Sequence, residues 1–127
     1  MAYSFTVATD NDLKQIIHLI ALLSEEQETP FSLLLSEISV KGALTIMCHN
    51  EVRPLAYISG YLVNPETFYV SQIYSLDPIC TKQLYETLEE KVKEMKVTKI
   101  TAYTKLHPRV FRRWGFEVER YIVTKEV

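Results

Sequence analysis

The hydrophobic residues of this chain change period several times, and each change marks an element. Leu13, Ile16, Ile17, Ile20 and Leu23 recur at helical spacing and predict an amphipathic helix over residues 10–25. Thr9 is placed to cap it, with Asp10 and Asp12 in the first turn, where negative charge suits the helix dipole. Ahead of it, Phe5, Thr6, Val7 and Ala8 read as a short strand. The polar run 25–30 leads to a shorter helix, capped by Ser32, that carries Leu34, Leu35 and Ile38. Gly42 stands as its C′ residue.

The period then shortens to two. Residues 43–49 alternate, with Leu44, Ile46 and Cys48 on one side. Residues 55–63 and 67–76 are dense in β-formers, and short turns at 50–54 and 64–66 make the three runs an antiparallel meander. Asp77 and Pro78 break the third run. From there to about residue 96, Leu84, Tyr85, Leu88, Val92 and Met95 share one helical face, opposite Lys82, Glu86, Glu89, Glu90, Lys93 and Glu94. Residues 99–105 form a strand, which implies a parallel crossover. Pro108 suits the first position of a short helix ending at Trp114, with Gly115 as its cap. Residues 116–127 form a closing strand pair or one bent strand. The order is β-α-α-β-β-β-α-β-α-β. It predicts one α/β (α+β) domain over 1–127, with a mixed, mostly antiparallel central sheet and helices on both faces.

Composition narrows the class. The chain has 127 residues, 47% of them hydrophobic, enough to bury a core without a covalent staple. A net charge of −2 gives no general pull toward nucleic acid or a membrane, and no apolar run is long enough to span a bilayer. The basic cluster Lys105, His107, Arg109, Arg112 and Arg113 stands in a chain of net negative charge and reads as a solvated face, not a nucleic-acid surface. Cys48 and Cys80 form no CxxC pair, which argues against a disulfide scaffold or a metal site. With no leader sequence, they fit a reducing, cytoplasmic setting.

Two segments carry a resemblance. Phe111-Arg112-Arg113-Trp114-Gly115-Phe116 looks like a Y-x-x-x-G-F segment, in which a short helix turns into a strand. Ile73-Tyr74-Ser75-Leu76-Asp77-Pro78 looks like a strand ending in L-x-V-x-P. With the element order, they resemble the GNAT family, whose members transfer an acetyl group from acetyl-CoA to an amine. The element order matches over nearly the whole chain; the motifs cover residues 73–116.

The resemblance implies an acetyl-CoA site in two halves. The pantetheine arm pairs with the splayed end of the fourth strand, beside the fifth; here that is Tyr74, Ser75 and Leu76 facing residues 101–103. The pyrophosphate sits on an R/Q-x-x-G-x-G/A loop, where close backbone N–H groups and a helix N-terminus meet the phosphates. The matching Pro78-Ile79-Cys80-Thr81-Lys82-Gln83 has no glycine. Two arrangements are open. Asp77 caps a helix that starts at Pro78, and its carboxylate then fills the anion site from within. Alternatively, Thr81 caps the helix and leaves the amides of Lys82 and Gln83 for a phosphate.

The family's chemistry uses a carboxylate base and a tyrosine that protonates the leaving thiolate. No acid lies within 67–76; Glu66 stands at its start, and Gln72 is not a base at neutral pH. The tyrosine position holds Phe111, so Tyr74 and Tyr103 are the substitutes, each also readable as a sheet tyrosine. His18 reads as a helix-boundary residue, His49 as exposed, and His107 as structural. No Ser-His-Asp set, metal cluster or Walker loop is present. Two functional readings remain: an acetyl-CoA-dependent N-acetyltransferase, or a non-catalytic binding or assembly module on the same scaffold. No motif specifies the acceptor amine or protein partner. A free edge on the last strand implies a homodimer.

Overall fold

The computed structural model describes residues 3–103, 115, 117–119 and 122–127. Strand β1 (Ser4–Val7) leads into α1 (Asp10–Leu13), a 3-10 turn (Lys14–Ile16) and α2 (Ile17–Gln27). Helix α3 (Phe31–Ile38) precedes the meander β2 (Leu44–His49), β3 (Pro54–Asn64) and β4 (Thr67–Ser75). A 3-10 turn (Pro78–Cys80) then runs into α4 (Thr81–Glu94), followed by β5 (Lys99–Tyr103), β6 (Glu117–Glu119) and β7 (Ile122–Glu126).

The seven strands form one sheet in the order β1-β2-β3-β4-β5-β7-β6. Among the described residues, β4 and β5 alone pair in parallel, across the α4 crossover. Each face carries its own core, because alternate side chains of each strand point to opposite faces. On one face Ile46, Cys48, Ala56, Ile58, Phe68 and Val70 pack under Leu84, Tyr85, Leu88 and Val92 of α4. On the other, Met47 and Tyr57 pack under Ile16, Leu19, Ile20 and Leu23, with Leu34 and Ile38 of α3.

A bulge interrupts this alternation. Gly60 opposes Val70 and Ser59 opposes Gln72, so Ser71 is an extra residue in β4. Phe68 and Val70 therefore face α4, whereas beyond the bulge Gln72 and Tyr74 face α2 and α3. The strands crowd at Gly60. A Cβ there would lie 2.2 Å from the Tyr69 carbonyl oxygen and 2.6 Å from the Phe68 ring. Only glycine fits beside the bulge.

Several expectations need correction. Leu33 and Leu34 donate backbone N–H to the Pro30 carbonyl at 3.1 and 3.3 Å, so α3 starts before Ser32, which does not cap it. Helix α3 ends at Ile38 with Ser39 as C-cap. Gly42 instead takes φ +85° in a turn closed by Ala43 N–H to the Val40 carbonyl. A 3-10 turn advances about 120° per residue against 100° for an α-helix, so three such residues rotate the face of α2 by about 60°. This swings Leu19 into the core and leaves Ile17 41% exposed. Met95 is the C-cap of α4 and is 40% exposed, not part of its buried face. The last strand, β7, is not an edge: it lies between β5 and β6, so it cannot supply the expected pairing edge for a second copy. His49 is half-buried. The expected helix from Pro108 to Trp114, Phe111, His107 and the basic cluster lie outside the described residues.

Gly60→Ala is expected to lower stability by at least about 3 kcal/mol, the upper end of overpacking costs, because the clash is with backbone. Urea unfolding measures it; a loss below about 0.5 kcal/mol, the size of an ordinary surface change, would contradict the crowding.

Candidate functional site

Strands β4 and β5 pair from Thr67↔Lys99 to Val70↔Ala102, and there the ladder stops. Strand β4 continues to Ser75, held from one side by β3 through Ile58↔Ile73, Tyr57↔Tyr74 and Ala56↔Ser75. The parting begins at the bulge. An extra residue bends its strand, and a bent β4 cannot track β5. Leu76 N–H donates to the Leu55 carbonyl at 2.8 Å. By the two-residue alternation of an antiparallel ladder, Tyr74 then points its backbone groups toward β3, and Ile73 and Ser75 point theirs away. Beyond Val70, no strand among the described residues pairs with β4 on that side.

This corrects the expected facing. Thr101 lies opposite Tyr69 and Ala102 opposite Val70, so residues 101–103 do not face Tyr74, Ser75 and Leu76. Those three lie beyond the last β4–β5 pair, where no described strand adjoins β4 on that side. Tyr74 is half-buried against the α2–α3 core. Tyr103 ends β5, its backbone paired with Ile122, while its side chain lies outside the described residues.

The helix after the gap starts at once. Asp77 caps the 3-10 turn, its Oδ1 accepting from Ile79 N–H at 3.0 Å, with Pro78 at the first position. Its Oδ2 accepts from the Tyr3 hydroxyl. The Tyr3 hydrogen bond, then the Ile79 N–H, hold the Asp77 carboxyl below the usual aspartate range. Thr81 is helical and does not cap: its N–H bonds the Pro78 carbonyl. Lys82 and Gln83 are exposed, with Lys82 Nζ 3.8 Å from Glu86. Of the two arrangements open from sequence, the structure adopts the one that sets an anion at the start of the helix.

Beneath it, Ser75 Oγ and Cys80 Sγ lie 3.4 Å apart, and Cys80 Sγ donates to the Asp77 carbonyl at 3.0 Å. Burial, with Cys80 beside it, pushes the Cys48 thiol up to about 12. Both cysteines are free and buried.

On the opposite face, at the root of the gap, is a polar group that sequence reasoning missed. Tyr57 Oη donates to Gln72 Oε1 at 2.8 Å; Gln72 Nε2 donates to the Leu34 carbonyl at 2.7 Å and to Glu37 Oε1 at 3.1 Å. Tyr57 and Gln72 are buried. Burial, then the Glu37 charge, push the Tyr57 hydroxyl upward. The one available signal was a long amide side chain in a strand of β-formers; nothing in the sequence connected it with Glu37, 35 residues earlier.

No protein-family model matches the sequence, and no curated protein matches it. Solved structures do match. A GNAT-family acetyltransferase from Brucella melitensis in complex with acetyl-CoA superposes with a TM-score of 0.82 at 10% identity, over 98% of this chain and 88% of that one. The PaiA N-acetyltransferase from Thermoplasma acidophilum in complex with coenzyme A gives 0.75 at 14% identity, over the whole of both chains. The aminoglycoside 6'-N-acetyltransferase from Enterococcus faecium gives 0.79 at 10% identity, over 97% and 96%. The chain has the fold of the GNAT N-acetyltransferases. Among the described residues, no helix is long and apolar enough to cross a membrane, and no group of His, Cys, Asp and Glu is placed to hold a metal.

Asp77 has a depressed carboxyl, so its contribution to stability is present above the ordinary aspartate pKa of about 3.9 and fades as pH falls through the lower folded value. Tyr3→Phe removes the largest cause. The variant is expected to trail the parent in stability at neutral pH, with the difference narrowing below about pH 4. A difference that stays constant under acid in urea-unfolding series would refute the Tyr3–Asp77 linkage.

Proposed function

We propose that this chain binds an acyl-CoA thioester in the gap between β4 and β5 and transfers its acyl group to an amine. The parting of β4 from β5 at Ser71 carries the reading, because it turns the backbone of Ile73 and Ser75 toward an open slot. A pantetheine arm is itself amide-rich and hydrogen-bonds to such backbone as an added strand would. Tyr74, Ser75 and Leu76 form the wall that would hold it. The bound thioester supplies the acyl group. The neighbours with bound coenzyme A and acetyl-CoA support this choice of ligand. Tyr74, or Tyr103 at the end of β5, is the candidate to return a proton to the leaving thiolate.

The pyrophosphate end fits differently. Thr81, Lys82 and Gln83 lie one turn beyond Asp77, and Lys82 and Gln83 are open to solvent. Lys82 offers a positive charge, whereas Asp77 sets a negative one at the helix start, and like charges repel. The site therefore holds the arm by backbone pairing and the diphosphate weakly. The same carboxylate favours a second reading, a binding module that kept the scaffold without turnover.

Calorimetric titration with coenzyme A and with pantetheine separates these terms. Coenzyme A at 100 times its Kd should stabilise the fold by about 2.7 kcal/mol in a parallel thermal melt. Asn also caps helices well, so Asp77→Asn should keep the fold. It is expected to tighten coenzyme A severalfold and to leave pantetheine unchanged. If neither ligand binds at millimolar concentration, the acyl-CoA reading fails. If both bind but no amine in a panel is acetylated, the binding module is the better account.

A further inference from the structure

The two cysteines of this chain come from different elements and meet on the α4 face of the sheet. The strand register shows where. Cys48 of β2 lies opposite Ala56 of β3, and Ala56 lies opposite Ser75 of β4. Neighbouring strands stand about 4.8 Å apart, so the backbones at Cys48 and Ser75 flank Ala56 at roughly 10 Å from each other. A methyl group is all that rises between them. Cys80, from the 3-10 turn before α4, fills that space. Its Sγ lies 3.4 Å from Ser75 Oγ and in hydrogen-bond contact with the Cys48 thiol.

Of the two, Cys80 is the one built to move. Cys48 sits in a strand paired on both sides, with β1 and with β3. Cys80 ends a single 3-10 turn, and its neighbour Ile79 is 80% exposed, so opening that one turn brings the buried thiol to solvent. Burial keeps the Cys48 thiol protonated, which leaves Cys80 as the attacking group. The contacts of Cys80 can be given up without orphaning a polar group. The Asp77 carbonyl accepts from Cys80 Sγ at 3.0 Å, but it also accepts from Ser75 Oγ at 2.5 Å, and that donor stays when the thiol proton is lost.

We propose that Cys48 and Cys80 are a reversible thiol–disulfide pair, a modification site for low-molecular-weight disulfides that resets the start of α4. Cys80 loses its proton to water, and its thiolate attacks the incoming disulfide, forming a mixed disulfide and expelling one thiolate. That thiolate takes the Cys48 proton. The Cys48 sulfur then attacks the Cys80 sulfur, forming the protein S–S bond and expelling the second thiolate, which is protonated from water. The two protein thiols are oxidised, and the small disulfide is reduced to its thiols. An S–S bond is about 2.05 Å long, shorter than any hydrogen-bond contact between sulfurs, so the link draws the turn toward β2 and away from Ser75. The pair stands apart from the acyl-CoA reading. Its consequence, a weaker hold on acetyl-CoA beside Ser75, rests on that reading.

The test uses the full chain, dilute enough to disfavour contact between copies, equilibrated with reduced and oxidised glutathione in varying ratio. Mass spectrometry after alkylation counts the thiols. The expected product is a single chain that lacks both thiol hydrogens, maps as a Cys48–Cys80 link and returns to the dithiol with dithiothreitol. Its thermal melt should stay cooperative. Cys48→Ala removes the second attacker without adding a polar group, and it should stop at a glutathione adduct on Cys80. In the parent chain, no oxidation, linked copies, adducts on both cysteines, or a link that forms only in unfolding urea would overturn the pair, whether or not the variant folds. Acetyl-CoA, which has no free thiol to reduce the link, is titrated into both forms. Severalfold weaker binding to the oxidised form is expected, and equal binding overturns the effect on the gap. If the link forms but acetyl-CoA binds neither form, the acyl-CoA reading fails and the pair stands.

Discussion

The extra residue at Ser71 does two things at once, and most features of the candidate site trace to it. It turns β4 over, so that Phe68 and Val70 serve the core under α4 while Gln72 and Tyr74 serve the opposite side. It also bends β4 out of line with β5, ending their ladder at Val70↔Ala102. Without the inversion, Gln72 would point toward α4, away from Glu37. Without the bend, β5 would occupy the backbone groups that now face the gap. The crowding at Gly60 has the same origin, because the bulge brings the Tyr69 carbonyl against β3.

The start of α4 shows local stability and anion binding in competition for the same N–H groups. A helix start needs acceptors, and a phosphate can be one. Here Asp77 fills that role, and Tyr3 from the first strand region fastens it in place. The helix gains a cap supplied by its own chain, and that cap carries a negative charge. A helix start capped by its own chain in ordinary backbone geometry needs no residue of unusual backbone freedom, and residues 78–83 hold no glycine.

Periodicity made the element order legible, and the meander and crossover appear where the alternation of β2 and the apolar face of α4 placed them. The helix face that includes Ile17 was misread because a 3-10 turn has a different angular step and leaves no mark in composition. The bulge was hidden for a related reason. Residues 67–76 read as one uninterrupted strand, and an inserted residue shows itself only against the register of a partner. The line of the gap was therefore drawn through residues 101–103 when Thr101 and Ala102 pair below it. Glu37 was invisible because nothing local distinguishes it from other surface glutamates. The pairing of Asp77 with Pro78, by contrast, is local chemistry, and it signalled the helix start.

At the other end of the same strand pair, the Glu66 carbonyl accepts from both Thr98 and Lys99 N–H, at 2.9 and 3.0 Å, and Val127 N–H reaches the Thr98 carbonyl at 2.8 Å. Three chain segments are riveted there, while at the Ser75 end no described residue joins β4 to β5. The pair is built like tweezers, with a fixed heel and parted tips. Motion at the tips is leveraged: at about 3.3 Å per residue, a tilt of about 5° at Thr67 carries Ser75 roughly 2 Å. Strand β3, paired with β4 as far as Ala56↔Ser75, would have to swing with it, so the tips move only as the β3–β4 pair moves as one unit.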